Sequence, residues 1–190
     1  MSGDADVGTS KFTAKDSNII NNKGEIIFVT NTNTVITLEN NTITNNDSDG
    51  AFLKATTAKW GTSGSNGGNV TLNMTKQKAS GNIIVDSIST LDITMEKESV
   101  LIGAINTDNT AKNISLKLSS NSVISLTDDA YLTSLDNEDS TNSNIYLNGH
   151  KLYVNGKVVS ANNGTYKEGT KTTTKNETTK VEANNNYMYY

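Results

Sequence analysis

Six short triplets, each with apolar residues flanking a mostly polar one, recur along the chain. They are Phe12-Thr13-Ala14, Ile36-Thr37-Leu38, Val70-Thr71-Leu72, Leu91-Asp92-Ile93, Ile114-Ser115-Leu116 and Ile145-Tyr146-Leu147. Alternation with a period of two marks a strand with one buried side. The successive intervals are 24, 34, 21, 23 and 31 residues. A repeat of this length points to a stacked architecture, in which each unit buries its apolar side against its neighbours. The three short intervals each match one rung of a β-helix.

A second signal keeps step with the first. Gly24 precedes Ile26-Ile27-Phe28-Val29, Gly50 precedes Ala51-Phe52-Leu53, Gly81 precedes Ile83-Ile84-Val85, Gly103 precedes Ala104-Ile105, and Gly156 precedes Val158-Val159. In the fifth unit Asp128-Asp129 stands in the glycine's place before Ala130-Tyr131-Leu132. Gly and Asp both suit a corner with unusual dihedrals. Between the two signals lie candidates for a middle strand: Ile19-Ile20, Ile43, Val100-Leu101, Val123-Ile124 and Leu152. The third unit offers only Gln77, Lys78 and Ala79 there.

The pattern therefore predicts an all-β chain, a right-handed parallel β-helix (β-solenoid) of about six rungs with three short strands per rung. The two long intervals predict insertions near 56–69 and 134–144 at the same place in the rung. Such loops emerge on one face, with their bases about 14 Å apart at a strand spacing of about 4.8 Å. Residues 1–10 read as a lead-in, 11–160 as the β-helix domain, and 161–190 as a polar linker or tail. That tail ends in the aromatics of Tyr187-Met188-Tyr189-Tyr190.

Composition agrees with a thin internal core. The chain is 34% hydrophobic and 6% aromatic, and Asn and Thr account for 55 of its 190 residues. Asn suits turns and Thr suits pleated surface; an AT-rich genome would favour the same bias. Pro, Cys and Arg are absent and the net charge is −4. Disulfides and thiolate zinc sites are excluded. With no cluster of Lys interleaved with aromatics, no nucleic-acid partner is expected. No apolar run is long enough for a membrane span by helix. Met1-Ser2-Gly3-Asp4-Ala5-Asp6 lacks the apolar stretch of a signal peptide. Together with the polar surface character, this leads us to expect a piece of a longer precursor that is secreted or displayed at the cell surface.

The Asn-rich corners Ser17-Asn18-Ile19, Asn21-Asn22, Asn40-Asn41-Thr42-Ile43 and Asn45-Asn46, with Leu147-Asn148-Gly149 and Leu152-Tyr153-Val154-Asn155-Gly156-Lys157, carry a resemblance. Over residues 10–160 the chain resembles bacterial adhesin-like right-handed parallel β-helix proteins, whose scaffold is similar to that of pectate lyases. The resemblance implies an extracellular or cell-surface setting. It names no substrate, because the scaffold hosts lyases, hydrolases, tailspikes and adhesins alike.

Four features carry candidate chemistry. Asn46-Asp47-Ser48-Asp49-Gly50 opens like a calcium loop, with Asp47 and Asp49 as ligands, but the stretch from Phe52 to Trp60 holds no acid to close it. Asp136, Glu138 and Asp139 crowd one predicted insertion and suit a hard cation, a ligand or acid–base work. Each cluster also reads as a solvated corner. Trp60, the only Trp, lies in the other insertion and suits stacking on a sugar ring or packing on the wall. His150, the only histidine, reads as an exposed turn residue. No Gly-x-Ser-x-Gly elbow accompanies it, and the missing Arg weighs against a lyase. No catalytic residue is assigned and no cofactor beyond calcium is suggested.

These readings favour a non-catalytic extracellular structural or adhesive module. Its partners would be a glycan, a host or matrix surface, or another copy through end-to-end self-association. A polysaccharide-active lyase or hydrolase and a carbohydrate-binding module are the alternatives.

Overall fold

The computed structural model describes residues 8–59 and 61–167, and among these there is no helix. The chain winds through six rungs, each visiting three faces in turn. The first rung contains β1 (Thr9–Lys15), β2 (Asn18–Asn21) and β3 (Ile27–Val29). The second contains β4 (Thr32–Glu39), β5 (Thr42–Asn45) and β6 (Leu53–Ala55), and the third β7 (Gly68–Thr75), β8 (Lys78–Ser80) and β9 (Ile83–Val85). The fourth has β10 (Thr90–Glu96) and β11 (Val100–Ile102). Its third side is only a bridge from Ile105 to Ile83. The fifth has β12 (Asn113–Leu118), β13 (Val123–Ser125) and β14 (Ala130–Leu132), and the sixth β15 (Ser134–Asn137), β16 (Ile145–Tyr146) and β17 (Leu152–Val154).

The first face is one parallel sheet in the order β1-β4-β7-β10-β12-β15. Its register stacks like on like. Phe12, Ile36, Leu72, Ile93, Leu116 and Leu135 form one inward column, and Ala14, Leu38, Met74, Met95 and Leu118 a second. The residues between them point outward, which is the pleat's alternation. The other faces supply Ile19, Ile43, Ala79, Leu101, Ile124 and Ile145, and then Leu53, Ile83, Ala130 and Leu152. Nearly all of these side chains join a single apolar core. The predicted β-solenoid, its rung count and its three-sided cross-section are thus observed.

The register differs from the sequence reading in three places. Ile36 pairs with Leu72, while Val70 lies opposite Thr34, so the long interval is 36 residues. The extra chain is the loop between β6 and β7. In the sixth rung, Ser134–Asn137 is not looped out; it continues the first face, with Leu135 on the Leu116 column. Ile145 and Tyr146 instead continue the second face beside Ile124 and Ser125. In β15 only Leu135 is apolar and inward, with Asn137 opposite Leu118, so no triplet marks the sixth rung. Finally, Val158 does not open a third side. Asn155 and Gly156, with φ of 48° and 73°, form a tight turn into β18 (Lys157–Val158), which runs antiparallel to β17. Positive φ at both central residues is the signature of a type I′ hairpin.

Two corner devices hold the rungs in phase. The first is a buried polar ladder. Ser17 N–H donates to Asn41 Oδ1 (3.0 Å), Asn41 N–H to Gln77 Oε1 (2.9 Å), Gln77 N–H to Ser99 Oγ (3.1 Å) and Ser99 N–H to Ser122 Oγ (3.2 Å). Each rung's corner donor is satisfied by the side chain of the next, so no buried amide is orphaned there. Gln77, long enough to reach across, fills the seam where β5 and β8 belong to separate sheets; its amide also donates to Asn41 O and Lys78 O. The second device is the glycine stack. A Cβ on Gly50 would sit 2.1 Å from Gly24 O, and one on Gly103 2.2 Å from Gly81 O. Only glycine lets the chain pass this close at that corner.

The two ends are dissimilar. At the last rung, β18 pairs with β17, and Asn162 bridges to Tyr146, donating to Ile145 O and accepting from Leu147 N–H. At the first rung, β1, β2 and β3 pair on the second-rung side only, among the described residues. A cavity of about 620 Å³ opens there, lined in part by Phe12, Ile26, Ile27, Val29 and Ile36.

Candidate functional site

The acidic corner at Asp47 is a folding element. Its Oδ2 accepts Gly24 N–H at 2.7 Å and its Oδ1 accepts Asp49 N–H at 3.1 Å. Those two backbone bonds, the Gly24 bond foremost, hold its pKa below the usual carboxylate range. Asp49 is exposed and takes a 3.5 Å contact from Ser48 Oγ.

Asp136 in β15, and Glu138 and Asp139 just after it, point to different partners. Asp136 points out from the first face beside Lys117. Glu138 Oε2 accepts Ser120 N–H of the rung above at 3.1 Å. Asp139 closes its own turn: Oδ1 accepts from the N–H and hydroxyl of Thr141, and Oδ2 from those of Ser143. Partial burial pushes the Asp139 pKa up, but the Ser143 and Thr141 hydrogen bonds outweigh it and hold the group below its ordinary value. Trp60 lies outside the described residues. Its loop is tied at both ends: Asn31 N–H donates to Asn66 O (3.1 Å) and Thr57 N–H to Asp86 Oδ2 (2.7 Å).

Sequence reasoning left two arrangements unassembled. The first is on the outside of the third face, where Phe28, Lys54 and Ile84 stand in register. Lys54 pairs with Glu25 at 2.9 Å and its ammonium sits 5.9 Å from the Phe28 ring centre. The Lys54 hydrogen bond lowers the Glu25 pKa. After the fourth-rung bridge the outer line resumes with Tyr131, Tyr153 and Val158. The two tyrosine rings stack at 4.6 Å with 5° between planes. Phe28 is 50% exposed, Ile84 38% and Val158 59%. The signal was present in sequence: Ile27-Phe28-Val29, Ile83-Ile84-Val85, Ala130-Tyr131-Leu132 and Leu152-Tyr153-Val154 are apolar or aromatic at all three positions, not only at the inward two.

The second is the corner leading into that line, where Asp128, Asp129 and His150 bring donor atoms within 4.8 Å of one another. His150 Nδ1 is 4.0 Å from Asp128 Oδ1. The interval between them is one rung, and the Ala130–Leu152 pairing places residue 128 beside residue 150.

No family model, no curated protein and no solved structure matches the chain. Its fold is that of a β-solenoid of six turns, and its chemistry rests on its own residues.

Proposed function

We propose that the chain is a non-catalytic structural and adhesive module, displayed outside the cell as part of a surface protein, and that the outer line of its third face makes the contact. The observation that supports this reading most is the exposure of Phe28, Ile84 and Val158 in one line with the stacked tyrosines. Side chains on the outside of a stack are free to be polar, as Thr and Asn are on the first face. Exposed apolar side chains kept in one line mark a surface that meets a partner. The two three-stranded sheets of this face hold neighbouring side chains at a strand spacing of about 4.8 Å, which suits an extended glycan chain or a matrix protein.

The test is retention of the whole chain on immobilised polysaccharides and extracellular-matrix proteins. Phe28→Ser with Ile84→Ser should lower retention about tenfold or more, as loss of central apolar anchors does. Thr94→Ala, on the first face, should leave it unchanged. Equal retention by all three proteins, each folded by far-UV circular dichroism, would overturn the reading.

A further inference from the structure

We infer that Asp128, Asp129 and His150 form a binding site for a borderline divalent transition-metal ion of the Zn²⁺ class. The three side chains come from two rungs and meet at one corner, with donor atoms within 4.8 Å of one another. An ion bound at about 2.0–2.2 Å from each ligand spans donors separated by about 3–4 Å, so only a small closure is required from the 4.0 Å separation of His150 Nδ1 and Asp128 Oδ1.

The backbone under these ligands is fixed by hydrogen bonds between the rungs. Lys151 N–H donates to Asp129 Oδ1 at 2.8 Å, and Ala130 N–H donates to Lys151 O at 2.9 Å. His150 follows a turn in which Asn148 and Gly149 have φ of 50° and 90°. Asn148 Nδ2 anchors that turn to the fifth rung through Ser125 Oγ (2.8 Å) and Leu126 O (2.7 Å), and His150 N–H closes it on Leu147 O (2.8 Å). Asp129 Oδ1 accepts from Lys151 N–H, and Asp128 Oδ1 accepts from Asp129 N–H at 2.7 Å, so each carboxylate keeps a second oxygen for an ion. A site built on rigid, paired elements loses little entropy when it closes.

The donor set chooses the metal. One imidazole with two carboxylates suits Zn²⁺, Ni²⁺ or Co²⁺ better than Ca²⁺ or Mg²⁺, which take all-oxygen shells. Three protein ligands leave a fourth position open for water. A bound ion would join the fifth and sixth rungs side chain to side chain.

His150 is the only histidine in the chain, so its imidazole signals in an NMR spectrum report this corner alone. Adding Zn²⁺ to the whole chain should shift or broaden those signals and raise the melting temperature; Ca²⁺ at the same concentration should do neither. His150→Gln should abolish the thermal shift, and Asp128→Asn should weaken Zn²⁺ affinity about tenfold or more. Because Asp128 is exposed and His150 is only partly buried, both variants are expected to fold. Unchanged imidazole signals, or a Zn²⁺ shift retained in His150→Gln, would overturn the site.

Discussion

At the scale of single residues, the solenoid depends on side chains that stand in for a neighbour's missing partner. Gln77 is fully buried and satisfies Asn41 through both backbone and side chain. Gln77→Leu should therefore destabilise the chain by about 1–3 kcal/mol for each polar group left orphaned, measurable by urea unfolding. Gly103→Ala has a different cause, a Cβ driven into Gly81 O, and a cost of about 1–3 kcal/mol or more follows from overpacking. Glu25, Asp47 and Asp139 all have pKa values lowered by folding. Their contribution is full above the unfolded carboxylate range, about pH 4, and is lost as pH falls through the lower folded values. The melting temperature should be flat from pH 7 to about 5 and should fall below about 4. Asp139→Asn should make that acid limb shallower. The glycine corners were legible in sequence because one residue type recurs in phase. The polar ladder was not, because Asn41, Gln77, Ser99 and Ser122 share a role and no chemistry that a repeat would reveal. The Asp128–His150 corner was hidden for a related reason: its members are one rung apart, and seeing them meet requires the correct register.

At the scale of elements, position in the stack decides how much each strand matters. Leu72, with strands paired on both sides, is fully buried; Leu72→Ala should cost about 2–5 kcal/mol. Leu135 occupies the same column in the last rung and is only partly buried, so Leu135→Ala should cost clearly less in the same denaturation series. The sequence reading missed the first face of the sixth rung because β15 carries a single inward apolar residue, Leu135, with the polar Asn137 opposite Leu118, and so shows no triplet. The final hairpin shows the other limit of pattern reading. Gly156 was expected at a corner because it kept phase, but Asn155 beside it makes the pair a hairpin turn. Replacing Gly156 by Ala at φ 73° should strain that turn by about 1–2 kcal/mol and fray β18, which amide exchange at Val159, bonded to Leu152, would register.

At the scale of the whole molecule, contacts run mainly from one rung to the next, so stability is nearly a sum of rung and interface contributions. The loop between β6 and β7 interrupts the winding without disturbing it, since Gly68 still stacks on Thr32 and Leu72 on Ile36. Closure entropy rises slowly with loop length, and shortening this loop within 59–64 should move the unfolding midpoint little. The contrast between the two ends has a larger consequence. Among the described residues, the last rung is covered on two of its three faces, by β18 and by Asn162, while the first rung offers three edges around an apolar mouth, so accretion has a preferred pole. Two copies meeting mouth to mouth would extinguish each other's capacity to grow. Self-assembly that prefers this pole is self-limiting: sedimentation at rising concentration should plateau at a pair, and a ladder of longer polymers would contradict the preference.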